Sequence, residues 1–140
     1  MDGAKSNLQD KSILYIGTYV SQEIEDKHDI SYSLAANNHV KGIIESFQTA
    51  GSNVAVVSPI WRESSTNVNS LPQTISDKNL GVNIHVPGSV GMQPLNSLIL
   101  TLLTTLSVLF ELYKSEYDCI LFYNFYRETA VPALIASVIF

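Results

Sequence analysis

The densest run of side chains able to do chemistry is Tyr123-Asn-Phe-Tyr-Arg-Glu128. Asn124 and Tyr126 can exchange hydrogen bonds with a hydroxylated ligand, aromatic faces can stack on a sugar ring, and Arg127 can pair with a phosphate. Glu128, close to a helix start, also has a purely structural use against the positive end of the helix dipole. A second run, Ala35-Ala-Asn-Asn-His39, brings small and amide residues to the start of a helix. Backbone N–H groups there could meet a phosphate or a sugar hydroxyl, and Asn37 or Asn38 could equally cap the helix. His39 faces the place where an anion would sit at a helix N-terminus, with solvent exposure as the simpler role. Thr18 and Tyr19 complete the set, at the end of the first apolar run.

No strong catalytic signature accompanies these residues. The chain has no G-x-G-x-x-G after its first apolar run, no Walker loop and no H-E-x-x-H. His28, His39 and His85 lie far apart without ligand-like spacing, so no metal site is expected. His85 reads as an outward-facing residue on a strand near a sheet edge. Cys119 is the only cysteine, which rules out an internal disulfide and a cysteine metal cluster. Within Cys119-Ile-Leu-Phe122 it reads as a small buried strand residue rather than a nucleophile.

Four apolar runs are positioned to hold these residues. Residues 12–19 form the first expected strand, of the kind found in the middle of a parallel sheet, with Gly17 near its end for a sharp turn or a close approach. Residues 21–33 are charged and aperiodic, a long loop for a βα connection. A helix is expected over 34–50, with an apolar stripe of Val40, Ile43, Ile44 and Phe47 and Gly51 as its terminator. The second strand, from Asn53, is halted by Pro59. Residues 60–79 are rich in Ser, Asn, Thr and Gln and read as a surface excursion. Residues 81–87 alternate as a third strand, and 88–93 form a loop into a long helix reaching to about 117. In that helix Leu95, Leu98, Ile99, Leu102, Leu106, Leu109 and Phe110 define the expected buried face, with Ser97, Thr101, Thr104, Thr105 and Glu111 opposite. A fourth strand over 117–123 precedes a final helix opening near Thr129, with Pro132 in its first turn. The apolar run 129–140 shows no cap or turn, so the domain is expected to be cut within its last helix.

This alternation gives an α/β fold, a Rossmann-like open, mostly parallel twisted sheet flanked by helices, over residues 12–140, with a flexible N-terminus at 1–11. Ligands in such a sheet sit beyond the carboxyl ends of the strands. The 140 residues suffice for one domain. A net charge of −5 with eight scattered Lys and Arg argues against nucleic acid as a partner. Charged residues at 15% are scarce, which suits strands buried on both faces or a surface meeting another domain or a membrane. The polar start, Met1 to Asp10, has no apolar signal region, so a cytoplasmic location is expected. The long apolar helix reads as a packed helix rather than a membrane span, because Ser and Thr interrupt it.

Ile13-Leu-Tyr-Ile-Gly17, then Val40-Lys-Gly-Ile-Ile-Glu-Ser-Phe-Gln-Thr-Ala-Gly51 running into Asn53-Val-Ala-Val-Val-Ser58, resembles the opening of family 4-type glycosyltransferases of GT-B fold. Tyr117-Asp-Cys-Ile-Leu-Phe-Tyr-Asn124 and Glu128-Thr-Ala-Val-Pro-Ala-Leu-Ile-Ala136 are similar to a later stretch of the same N-terminal domain. Asn37-Asn38 stands where the family usually carries a Gly-Gly pair near the donor phosphates. The family's nucleotide-sugar site belongs to a C-terminal Rossmann domain that these residues do not include. The resemblance thus implies the acceptor-side half of a hexosyltransferase of polysaccharide-type synthesis. Acceptor contacts would come from Thr18, Tyr19, Asn37, Asn38, His39, Asn124, Tyr126, Arg127 and Glu128. It implies no cofactor in this half, a C-terminal donor-binding domain or separate subunit as partner, and a glycan or lipid-linked acceptor. Peripheral contact with the inner face of a membrane is expected on the same ground. The alternative is a stand-alone Rossmann-like binding or interaction module without catalysis.

Overall fold

The computed structural model describes residues 9–26, 30, 32–60, 72–88, 96–124 and 126–140. Five strands form one sheet in the order β3-β4-β2-β1-β5: β1 is Ser12–Ile16, β2 Asn53–Val57, β3 Gln73–Asp77, β4 Val82–Val86 and β5 Cys119–Phe122. All neighbours are parallel except β3, which pairs antiparallel with β4 from Gln73 opposite Val86 to Asp77 opposite Val82. The helices are α1 (Gln22–Glu25), α2 (Leu34–Thr49), α3 (Asn96–Lys114) and α4 (Arg127–Ile139). The fold is therefore α/β, a Rossmann-like open sheet flanked by helices.

β1 explains the two layers. Ile13, Leu14, Tyr15 and Ile16 are all buried, because successive side chains point to opposite faces and both faces are covered. Tyr15 packs with Val40 and Ile44 of α2 and Ile24 of α1 on one face. Leu14 and Ile16 pack with Val108 of α3 and Ala133 and Ala136 of α4 on the other. β1 leads through α2 to β2 on one side, and β4 leads through α3 back across to β5 on the other. That reversal puts the topological switch point between β1 and β5.

Chain punctuation follows local chemistry. Ser33, not Asn37 or Asn38, is the N-cap of α2, its Oγ accepting from the Ala36 amide at 3.3 Å. Gly51 ends α2 at φ +89, with Gly51 N–H donating to Gln48 and Ser52 N–H to Phe47, the paired bonds of a Schellman stop. The expected surface excursion contains β3, and the expected aperiodic loop contains the one-turn α1, capped by Ser21. With β3 outside it, β4 is not an edge strand, and His85 is half-buried rather than outward-facing. β1 stops at Ile16, short of Tyr19. α4 opens at Arg127, two residues early, which moves Pro132 out of the first turn into the helix body.

Two expectations about burial reverse. Cys119 is exposed, because β5 pairs only with β1 among the described residues and is only partly covered. More consequentially, α3 is turned about its axis. Thr101, Thr104, Thr105, Ser107, Leu100 and Val108 are buried, whereas Leu98, Leu102, Leu106 and Phe110 are each more than half exposed. Small residues let α3 and α4 approach closely, and each threonine hydroxyl is satisfied by its own helix: Thr101 donates to Ser97, Thr104 to Leu100 and Thr105 to Thr101 carbonyl oxygens, at 2.7–2.8 Å. Leu95 lies outside the described residues, as do His28 and residues 1–8.

Candidate functional site

The loops after β1 and β5 and the start of α2 converge at the switch point. The loop after β1 is tied down both by polar bonds and by burial of Tyr19 and Val20 in the core. Thr18 Oγ1 donates to the Pro59 carbonyl at 3.1 Å. Asn37, in the first turn of α2, holds the Val20 backbone at both ends, accepting its N–H at 2.8 Å and donating to its carbonyl at 2.9 Å. An amide side chain has two donors and two acceptor positions, so Asn37 keeps one of each. Asn124 turns the chain at the end of β5 in the left-handed region, φ +67, a conformation asparagine tolerates better than most residues. Its carbonyl accepts from Thr129 Oγ1 at 2.7 Å, which fixes the entry to α4.

Between these segments lies an open cleft of about 160 Å³. Thr18 lines it from the loop after β1, Tyr32, Ser33, Ala36, Asn37 and Val40 from the α2 side, and Tyr123, Asn124 and Tyr126 from beyond β5. No charged side chain is among the described residues of this lining. Tyr126 is 64% exposed, a phenol presented at the mouth. Burial and then a hydrogen bond to Glu25 raise the Tyr32 phenol above its ordinary value, so it stays a neutral donor and acceptor. A larger hollow of about 280 Å³ involves Ser12, Asn53 and Tyr117. It sits at the amino ends of the strands, opposite the carboxyl ends at which an open parallel sheet receives its ligands.

The expected site residues divide. Thr18, Asn37, Asn124 and Tyr126 meet in the cleft. His39 is exposed on α2 and stands against Tyr123, ring centroids 5.4 Å apart and tilted by 48°, so it buttresses the cleft from outside. Asn38 is exposed and does not line it. Tyr19 is turned into the core, where its hydroxyl donates to Asp77 Oδ2 at 2.7 Å and its backbone N–H to Ser58 Oγ at 2.8 Å. Burial and that Asp77 bond push its phenol far above its ordinary value. Arg127 and Glu128 point to the other face of the sheet, both bonded to Ser97 Oγ at the start of α3. Glu128 is buried there.

Tyr32 and Ser33 are cleft residues that the sequence reading did not single out. Ser33 carried a usable signal, a serine directly before the first helical residue. Tyr32 carried none, because it lies in an aperiodic segment. Among the described residues no group of three or more His, Cys, Asp or Glu is gathered as metal ligands are. No protein-family model matches the chain, and neither a curated protein nor a solved structure does.

Proposed function

We propose that the switch-point cleft binds one ring of a saccharide, and that the chain is the acceptor-side part of a glycosyltransferase of GT-B type. The observation that carries this reading is the convergence of three loops whose described lining residues are uncharged and offer mainly hydroxyl, amide and phenol groups. Such groups suit a neutral polyhydroxylated ligand, and the Tyr123 and Tyr126 rings supply faces for its C–H surface. At about 160 Å³ the cleft is below the about 300 Å³ usual for whole small-molecule ligands, which suits a single ring better than a nucleotide sugar. The donor and the residues that activate it then belong to a C-terminal domain or a separate subunit. Sugar transfer occurs only when that half closes over the cleft.

Saturation-transfer NMR with a panel of mono- and oligosaccharides tests this. Ring protons of at least one saccharide should receive saturation, and Asn37→Ala together with Tyr126→Ala should abolish it. Nucleotide sugars should give no transfer to the sugar ring that survives those substitutions. Absence of transfer for every saccharide, at concentrations of about 10 mM where weak single-ring binding is detectable, would sink the reading. The second reading, a stand-alone binding module, is favoured by the absence of an acid, base or nucleophile among the described cleft residues. Saccharide binding without any transferase activity after addition of a donor-binding half would decide for it.

A further inference from the structure

Tyr15 carries a buried polar group for which the fold has no use. It lies on the α2 face of β1, 2% exposed, and its hydroxyl has no hydrogen-bond partner among the described residues. Other sheltered phenols meet a carboxylate: Tyr19 donates to Asp77 at 2.7 Å, Tyr117 to Glu111 at 3.3 Å, and Tyr32 to Glu25. A phenylalanine would fill the Tyr15 site with the same ring and bury no unpaired oxygen, so packing gives no reason for the hydroxyl.

The ring carries that hydroxyl toward the carboxyl end of the sheet. Gly17, two residues on and on the same face, leaves room for it to lie along the strand: a Cβ there would stand 3.0 Å from the hydroxyl oxygen. Ile16 is paired with Val57 of β2 and Phe122 of β5, and the same register sets Gly17 between Ser58 and Tyr123. This is the last row of the sheet beneath the cleft. Ser58 Oγ is occupied by the Tyr19 backbone, accepting its N–H and donating to its carbonyl, both at 2.8 Å. Tyr123 lines the cleft, as do Thr18, which follows Gly17, and Val40, which shares a buried cluster with Tyr15. The unpaired hydroxyl thus lies under the lining, in dry surroundings. A hydrogen bond there discriminates strongly between a ligand that completes it and one that does not.

We propose that the Tyr15 hydroxyl is a specificity-determining group of the switch-point cleft, completing its hydrogen bond on one hydroxyl of the bound saccharide ring. This rests on the saccharide reading of the cleft. Tyr123, half-buried and with exposed His39 tilted against its ring, is the side chain that turns aside to admit the ligand hydroxyl. Tyr15 and Gly17 act together, the glycine making room for the phenol that reads the sugar.

Saturation-transfer titration with the methyl glycosides of glucose, galactose and mannose tests this, followed by the monodeoxy derivatives of whichever binds. In the parent chain one monodeoxy derivative should bind about tenfold or more weakly than the full glycoside. In Tyr15→Phe the full glycoside should fall to the affinity of that derivative, and the two should then bind alike, the signature of a direct pair. Urea unfolding of the variant should match the parent. Should Tyr15→Phe fold poorly, a parent chain labelled with carbon-13 at Tyr15 Cζ replaces it, and that resonance should shift at saturating glycoside. Equal affinity of parent and variant for the full glycoside, or a Cζ resonance that stays in place, overturns the proposal and leaves the cleft reading standing. So does a loss of equal size for every derivative, which would make Tyr15 a packing residue. A parent chain that binds none of the glycosides overturns the cleft reading and this proposal with it.

Discussion

Tyr15 and Gly17 compete for one spot on the α2 face of the sheet. A Cβ on Gly17 would stand 2.8 Å from the Tyr15 ring, and Tyr15 is itself only 2% exposed. Gly17 was legible as a place of close approach; that the approaching group is a neighbouring ring was not, because spacing does not say which side chain folds back. The ring cannot yield without disturbing Val40 and Ile44, so Gly17→Ala should cost about 1–3 kcal/mol in urea unfolding. The Tyr15 hydroxyl is buried without a hydrogen-bond partner among the described residues, and burial raises its pKa well above the ordinary value. Removing it leaves nothing unsatisfied behind. Tyr15→Phe should therefore leave stability unchanged or raise it by up to about 1 kcal/mol in the same measurement. A loss above that range would mean that the hydroxyl has a partner. Tyr19 and Glu128 show the limit at this scale: their types fit a ligand site and a core bond equally, and only the backbone direction decides.

At the scale of elements, period was readable where one face met one core. β1, α2, β2 and β4 follow their patterns because burial and polarity agree there. α3 does not, because its threonines satisfy their hydroxyls within the helix and so cost little to bury, which frees the leucines to face outward. β3 was hidden for a different reason: Gln73-Thr-Ile-Ser-Asp77 has a single apolar residue, and what holds it is a carboxyl. Asp77 is 1% exposed and accepts from Tyr19 hydroxyl at 2.7 Å and from the Asn79 and Leu80 amides at 2.8 and 3.1 Å. It closes the β3–β4 turn and anchors β1's following loop to it, while Gly81 at φ +65 completes the turn. Asp77→Ala strands three donors and should cost about 2–4 kcal/mol. Hydrogen exchange should show the β3–β4 amides losing protection ahead of β1. Uniform loss across the sheet would contradict that anchoring role.

Across the whole molecule, one half-buried cluster joins layers that are distant in sequence. His85 of β4 lies with Nδ1 3.1 Å from Thr74 Oγ1 of β3 and 4.0 Å from Glu111 Oε1 of α3. Glu111 in turn receives the Tyr117 hydroxyl, whose pKa burial and then Glu111 push up to about 12. Burial lowers the His85 pKa most; Glu111 opposes this in part and Lys114 adds to it. The folded chain therefore holds a proton on His85 less readily than the unfolded chain, whose imidazole titrates near the ordinary 6.5. Above that pH both states are neutral there and the contribution to stability is complete. As pH falls below it the unfolded state takes the proton first, and stability is lost. Asp118, held below the ordinary 3.8 first by its Lys11 hydrogen bond and then by the Ser12 amide, acts in a separate and more acidic window. Melting temperature should fall from pH 7.5 to pH 5.5, and His85→Gln should flatten that fall. Loss of the Thr74 contact in the variant shifts both ends alike, so the slope and not the height carries the test. Equal slopes in parent and variant would show that the proton between β4 and α3 is not what acid adds first.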